Sequence, residues 1–320
     1  MARYTAKKLI QLVISLLVLS AIVFFVSRTA PGNPLKAYYG EAVERMSPHQ
    51  LALAEERLGL DDPLIIQYLR WMKNALGGNM GISYQYKQSV TEVIGQVAGN
   101  TFLLTAVSFI LIFLLGLCLA VFCVNHEGSR ADRAICRIGV ALNSIPEFFA
   151  ALILILFFSV MTGILPQSGA TDIGGGGRIE HLILPVMSIV LTHTWYVAYL
   201  MRSRLSQEAG CEYVLMCRAK GLGRRQIMWK HCVKNILPSA FGIMATFLPH
   251  LLGGAYVVEM VFSYPGLGKL GVDSAQYHDY NMLMCVCLLT GAIVITVHML
   301  SSVVSEKLSP EMKEERGQML

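Results

Sequence analysis

Residues 102–124 read FLLTAVSFILIFLLGLCLAVFCV and contain no Asp, Glu, Lys or Arg. About 20 apolar residues in helical form cross the roughly 30 Å hydrocarbon core of a bilayer. Because backbone polar groups cannot be left unpaired in lipid, a stretch of this kind predicts a transmembrane helix. It therefore indicates an integral membrane protein.

The composition of the chain agrees with this reading. Its 320 residues are 54% hydrophobic and only 15% charged, whereas a soluble domain carries about 25% charged residues. We interpret the first apolar window as a retained helix, because no small-x-small cleavage pattern follows it. The chain is thus predicted to be an all-α membrane protein with six transmembrane helices, at Leu9–Val26, Phe102–Val124, Ile138–Leu165, Leu182–Met201, Ile236–Val258 and Met282–Ser305.

The distribution of basic residues predicts the orientation. Lys and Arg are concentrated before the first window, between the second and third, after the sixth, and above all between the fourth and fifth, where there are eight. Residues 166–181 and 259–281 contain one basic residue each. By the positive-inside rule, both termini are expected in the cytoplasm.

Between the first and second windows lies a more polar segment, residues 29–100. Two amphipathic helices, joined by a turn at Asp61-Asp62-Pro63, are predicted to form a small extracytoplasmic cap there. We divide the chain into residues 1–98 (the first helix and the cap), residues 99–306 (a core of five transmembrane helices with a cytoplasmic loop at 202–235), and a cytoplasmic tail at 307–320.

The loop at 202–235 is longer than a turn between helices requires. Residues 219–238, AKGLGRRQIMWKHCVKNILP, contain five Lys or Arg and no acid. We predict one helix at Gln207–Lys220, ended by Gly221, and a second at Arg224–Asn235. The first should expose apolar side chains to a lipid surface or to the groove of a partner, with the partner favoured. These side chains are Tyr213, Val214, Leu215 and Met216. The alternative is that the basic residues only fix the topology.

Short motifs along the whole chain carry a resemblance. EYVLMCRAKGL (212–222), followed by KHCVKNILP (230–238), resembles the cytoplasmic "EAA" loop of type I ABC importer permeases, in detail the oligopeptide, dipeptide and nickel branch. Further similar motifs are RTAPGNP (28–34), LGLDDPL (58–64), SIPEFF (144–149), GILPQSG (163–169) and FSYPGLG (262–268). Ser309-Pro310-Glu311 departs from the D-P-R that the family usually has near its C-terminus.

This resemblance implies a permease subunit of a binding-protein-dependent ABC importer, of the first-permease (B-type) kind, in the bacterial cytoplasmic (inner) membrane. The implied fold is that of a type I ABC importer permease with a helical cap between helices 1 and 2. The implied partners are a second homologous permease, two ABC ATPase subunits, an extracytoplasmic substrate-binding protein and membrane lipid. ATP and Mg would be bound by the ATPases, with no cofactor in this chain.

We expect no ATPase activity in the chain itself, because no G-x-x-x-x-G-K-[ST] motif occurs. A net charge of +5 is too small to indicate nucleic-acid binding. The resemblance implies that the loop docks on the ATPase through Glu212, Tyr213, Arg218, Ala219, Lys220, Gly221 and Arg224.

Ionisable side chains within or beside the apolar windows are candidates for the translocation path. They are His193, His250, Glu259 and His298. Packing or interhelical hydrogen bonding is the competing explanation for such residues, and His193 has no neighbouring ligand one helical turn away. No metal site is predicted.

The cargo remains open between nickel or a metal–chelator complex, which we favour slightly, and short peptides. An ATP-independent secondary transporter is a remote alternative, because four of the windows contain no charge. An intramembrane enzyme is disfavoured as well, since Ser188 and His193 would point in different directions from one helix.

Overall fold

The computed structural model describes residues 2–29, 34–60, 62–171 and 177–308, and these residues are almost entirely helical. In chain order, the α-helices are α1 (Ala2–Thr29), α2 (Pro34–Tyr39), α3 (Pro48–Leu58), α4 (Leu64–Leu76), α5 (Val90–Asn125), α6 (Arg130–Asn143), α7 (Glu147–Leu154), α8 (Arg178–Ala209), α9 (Glu212–Ala219), α10 (Arg224–Ile227), α11 (Val233–Val261), α12 (Leu267–Gln276) and α13 (Tyr280–Leu308).

Five of the six predicted windows lie within helices long and apolar enough to cross a membrane. These helices are α1, α5, α8, α13 and a continuous run through α10 and α11, Arg224–Val261. The predicted all-α membrane fold is therefore confirmed. The helices extend beyond the windows because their ends carry polar residues, which hydropathy excludes and which the helical backbone tolerates.

The third window is not one continuous helix, although the bent pair of helices that contains it gives the predicted six spans if it is counted as one broken span. Its first six residues belong to α6, and the rest begins again at α7, with a bend of 98° between the two helices. Pro146 separates them, with extended backbone angles (φ −61°, ψ 141°). A proline disfavours the α conformation in the residue before it, so the helix ends at this point. The apolar character of Ile138 and Val140 belongs to an amphipathic helix whose first turns carry Arg130 and Arg133.

Two helices contain π-helical segments, in which each turn holds an extra residue. One, Ile155–Met161, continues α7. The other, Met228–Cys232, joins α10 to α11 without a break in the helix. Segments of this kind are rare and are often found at functional sites.

The chain folds into two compact units. The first contains residues 1–101 and 265–296. In it, α3 and α4 confirm the predicted pair of cap helices, and a short 3₁₀ helix, Gly40–Arg45, accompanies them. Ser47 caps α3 through a reciprocal pair of hydrogen bonds with Gln50. Asp61, in the predicted turn, lies outside the described residues.

Aromatic packing joins α1 to α4 in this first unit. Phe24 is fully buried, and its ring centroid lies 5.3 Å from that of Tyr68 and 6.0 Å from that of Trp71. The hydroxyls of Ser20 and Tyr68 are 2.8 Å apart. These contacts hold the cap helix α4 against the last turns of α1.

The second unit contains residues 102–264 and 297–320. Helices α8 and α11 form its centre, and α5, α6 and α7 pack around them. Small residues allow close approach, as expected between membrane helices. A Cβ placed on Gly116 of α5 would lie 3.1 Å from Cγ1 of Val197 on α8, and one placed on Gly139 of α6 would lie 2.9 Å from the Trp195 ring.

The turn between α5 and α6 is tied to α8 by a buried ion pair. Asp132 is 4% exposed. Its Oδ2 accepts hydrogen bonds from Nη2 of Arg202 at 2.9 Å and from the backbone N–H of Gly128 at 3.1 Å. Ser129 caps the same helix through the Asp132 backbone N–H. The carboxylate is therefore fully engaged, and losing one partner leaves a buried charge unpaired.

We expect Asp132→Asn and Arg202→Gln each to lower the free energy of unfolding by about 1–3 kcal/mol, because each leaves a buried polar partner unsatisfied. Unfolding in detergent can be followed by the maleimide reactivity of the buried Cys123 and Cys232. The double variant should lose clearly less than the sum of the single losses. Additive losses would show that the two side chains are not coupled.

Candidate functional site

The loop between α8 and α11 does not follow the predicted helix at Gln207–Lys220. Residues 207–209 belong to α8, which is capped at Gly210, and the chain starts again as α9 at Glu212. The predicted start at Arg224 is confirmed, but that helix runs on into α11 instead of ending at Asn235.

Gly221 ends α9, as predicted. Its φ is +79°, in the left-handed region that favours glycine. The N–H of Gly221 donates to the Arg218 carbonyl at 2.9 Å, and the N–H of Leu222 donates to the Cys217 carbonyl at 3.2 Å. This pair of bonds forms a Schellman motif, which satisfies the last carbonyls of the helix.

One carboxylate holds α9 in place. Oε1 of Glu208, at the end of α8, accepts hydrogen bonds from the Tyr213 hydroxyl at 2.7 Å and from Nδ2 of Asn235 at 2.9 Å. Burial, together with the neighbouring Cys232 and Glu208, raises the pKa of Tyr213, so the phenol stays protonated and remains a donor. Sequence reasoning did not identify Glu208 or Asn235. Three elements, α8, α9 and α11, thus meet at one side chain.

The face of α9 that packs on the bundle differs from the prediction. Val214 is 3% exposed and Tyr213 is half-buried, although both were expected to be exposed. Val214 lies over a small cavity of about 160 Å³ that is also lined by Ile227 and Met228. Beside it, Nη2 of Arg224 donates to the carbonyl of Val124 in α5 at 3.2 Å. These inward contacts anchor α9.

The opposite face of α9 is open. Leu215 and Met216 are 63% and 61% exposed. These two apolar side chains lie beside the exposed, charged Glu212, Arg218 and Lys220, and such a helix face can contact either a partner or lipid. The other exposed positions of α9 and of the residues that follow it are Glu212, Arg218, Ala219, Lys220, Gly221 and Arg224, and of these Arg218 and Arg224 also line the small cavity. We call this set, with Leu215 and Met216, the α9 surface.

Within the apolar part of the second unit, the structure brings together a pair that the sequence did not reveal. Oε1 of Glu147, the first residue of α7, contacts Nε2 of His193 on α8, and the two side chains are only 15% and 20% exposed. A Cβ on Gly254 of α11 would overlap the Glu147 carboxylate. Three helices therefore converge on one acid–base pair, and Gly254 provides the space for it.

The other predicted path residues occupy different surroundings. The rings of His193 and His250 both lie near Phe247, with centroid separations of 5.1 Å and 6.4 Å. Glu259 is fully buried in α11, and His298 is exposed on α13. In the part of the chain that the structure describes, no group of three or more His, Cys, Asp or Glu side chains could hold a metal ion.

Comparisons with known proteins agree with this architecture. The permease protein CntB of the metal-staphylopine import system of Staphylococcus aureus is 29% identical over 98% of this chain and 99% of its own length. The oligopeptide transport system permease protein AppB of Bacillus subtilis is 30% identical over 98% of this chain and 100% of its own length. A solved structure of the MetNI methionine ABC transporter in an inward-facing conformation has the same fold, with a TM-score of 0.58 at 18% identity over 68% of this chain and 97% of that chain.

Two family profiles account for most of the chain. Residues 1–105 match the N-terminal part of the binding-protein-dependent transport system membrane component. Residues 112–314 match the family described as binding-protein-dependent transport system inner membrane component. The chain therefore belongs to this family and is a permease subunit of an ABC importer.

Proposed function

We propose that this permease uses the α9 surface as the docking site for an ATPase subunit, and that ATP-driven motion of the ATPase moves α8 and α11 through α9. The complete importer contains two ATPase subunits, a second homologous permease and an extracytoplasmic substrate-binding protein. Both termini and α9 lie on the cytoplasmic side. ATP and Mg bind to the ATPases.

One observation carries this proposal: α9 is firmly held on one face and exposed on the other. The hydrogen bonds of Glu208 and the burial of Val214 fix α9 to the bundle, while Leu215 and Met216 remain open to a partner. A helix held in this way transmits a displacement instead of absorbing it. A loop that served only to fix topology has no need of such an anchor.

We place the translocation path next to the Glu147–His193 pair, where α7, α8 and α11 converge. An ionisable pair within the membrane is costly unless it is used or fully paired. For the cargo, we propose nickel or a metal–chelator complex, or a short peptide. The relatives named for metal-staphylopine import and for oligopeptide transport support both choices.

Ala219→Asp should lower ATPase recovery on co-purification by about tenfold or more, because it buries a new charge in the docked surface. The matched control is Ala134→Asp, which places the same charge on an exposed position of α6 and should leave recovery unchanged. In reconstituted vesicles, ATP-dependent uptake should fall in parallel.

Two outcomes would contradict this proposal. Equal ATPase recovery in the two variants would show that the α9 surface is not the docking site. Cargo accumulation by vesicles that contain the permeases but no ATPase would favour the secondary-transporter alternative instead.

Gly221→Pro should abolish coupling, because proline cannot adopt a φ of +79° and removes the N–H that bonds to Arg218. Gly223 provides the control: its φ of −66° suits proline. The measurement is the stimulation of ATP hydrolysis by substrate-loaded binding protein in the assembled importer. We expect stimulation to be lost in the first variant and kept in the second, and equal stimulation in both would contradict a coupling role for this helix end.

Gly254→Ala should reduce initial uptake by about tenfold, because overpacking against the Glu147 carboxylate costs about 1–3 kcal/mol. Gly253→Ala is the control at the neighbouring position, where a Cβ meets nothing within 4 Å. Uptake is to be normalised to the amount of permease in the membrane. Unchanged uptake by the Gly254 variant would contradict the claim that the translocation path passes where α7, α8 and α11 converge.

A further inference from the structure

The first unit contains a polar cavity of about 480 Å³, within the range of small-molecule sites. Its walls come from the end of α1, from α4, and from the segments around residues 38, 82 and 281. Aromatic rings of Tyr38, Trp71 and Tyr84 line it, and Tyr84 is only 3% exposed. The cavity is therefore a polar pocket of the first unit with aromatic rings in its wall, and it shares no residue with the α9 surface or the Glu147–His193 pair.

Hydrogen-bond donors in these walls have no acceptor. Nε and Nη1 of Arg28 and Nε1 of Trp71 are buried and form no hydrogen bond within the described residues. The guanidinium packs 5.6 Å from the centroid of the Phe24 ring. Leaving such donors buried and unpaired is unfavourable, and more so for a charged group. A ligand that brings an acceptor would recover this free energy.

Carboxylates of the chain do not satisfy Arg28 in the described part of the structure. Asp279 is fully buried, but its Oδ2 accepts from the Ser83 hydroxyl and the Gln85 N–H, and its Oδ1 accepts from the Met282 N–H. Asp62 pairs with Arg70 at 2.6 Å. Glu56 also lines the cavity but is exposed to solvent. Among the described residues, Arg28 is thus a cation on the cavity wall with no carboxylate partner, and this part of the wall favours an anionic group.

One acceptor in the same wall is also unpaired. Gln67 is 8% exposed, and its Nε2 donates to the carbonyls of Leu60 at 3.2 Å and Asp62 at 2.8 Å. These two bonds fix the orientation of the amide, and Oε1 is buried with no partner among the residues that the structure describes. The cavity therefore presents donors for an anion, an acceptor for an N–H, and aromatic walls for an apolar body.

We propose that this cavity binds small molecules that carry a free α-carboxylate next to an N–H, such as amino acids and short peptides. Arg28 and Trp71 bind the carboxylate, Gln67 accepts the N–H, and the tyrosines contact the rest of the molecule. The inference deepens the proposed function, on which it rests for the class of cargo, by adding an extracytoplasmic site where cargo is held before it enters the path.

The test is equilibrium binding of radiolabelled trialanine to the full-length chain in lipid nanodiscs, without binding protein, ATPase or nucleotide. We expect saturable binding with a dissociation constant in the range of about 1 µM to 1 mM. Trialanine with a C-terminal amide should bind at least about tenfold more weakly, since it lacks the anion that Arg28 requires. This comparison uses the unmodified protein and does not depend on any variant folding.

Arg28→Gln should weaken trialanine binding by a similar factor and should abolish the difference between acid and amide. The control is Lys73→Gln, at an exposed position on the helix that carries Trp71. It should change neither the affinity for trialanine nor the difference between the acid and the amide. The proposed site would be contradicted by any of three results: no saturable binding, equal binding of acid and amide, or undiminished binding by Arg28→Gln. Because no ATPase takes part, these outcomes are independent of whether α9 couples transport.

Discussion

The carboxylate of Glu208 is the constraint on which the working arrangement depends. It sits at the end of α8, accepts a hydrogen bond from Tyr213 in α9, and accepts another from Asn235 in α11. Hydrogen bonds to a charged acceptor are shorter and stronger than those between neutral groups. They tie α9 to both long helices through one side chain. His193 and Gly254 lie further along those helices, so the α9 surface and the Glu147–His193 pair are joined by continuous helix and not by a flexible connection.

The transmembrane architecture could be predicted from the sequence because lipid imposes one demand on every segment: its backbone must be paired internally. Segments that meet this demand contain long uncharged stretches, and each of these stretches lies within one of α5, α8, α11 and α13. The break in the third window was not predicted because hydropathy adds up residues without regard to backbone geometry. Ile138 and Val140 are apolar, yet Pro146 separates them from the rest of the window, and α6 turns away by 98°.

Some features of the candidate site depend only on local sequence and could be predicted, whereas others depend on packing between helices and could not. Gly221 was predictable because a helix end with positive φ is a property of one residue and its neighbours. The buried face of α9 was not predictable, because it is set by contacts with other helices. Tyr213 bonds to Glu208 and Cys232, and Val214 shares a cavity with Ile227. Glu147 and His193 were each conspicuous in the sequence as polar residues in apolar surroundings. Their contact depends on how α7 packs on α8, and Gly254 leaves the space for it in the folded structure.

The π-helical segment at Met228–Cys232 gives the run from Arg224 to Val261 a property that an ordinary helix lacks. One surplus residue in an α-helix shifts everything beyond it by about 100° around the axis. The azimuth of Arg224 relative to the membrane-embedded part of α11 is thus set by a single insertion. Removing one residue here would therefore turn Arg224 and the residues before it by about 100° relative to α11 while leaving the apolar part of that helix unchanged.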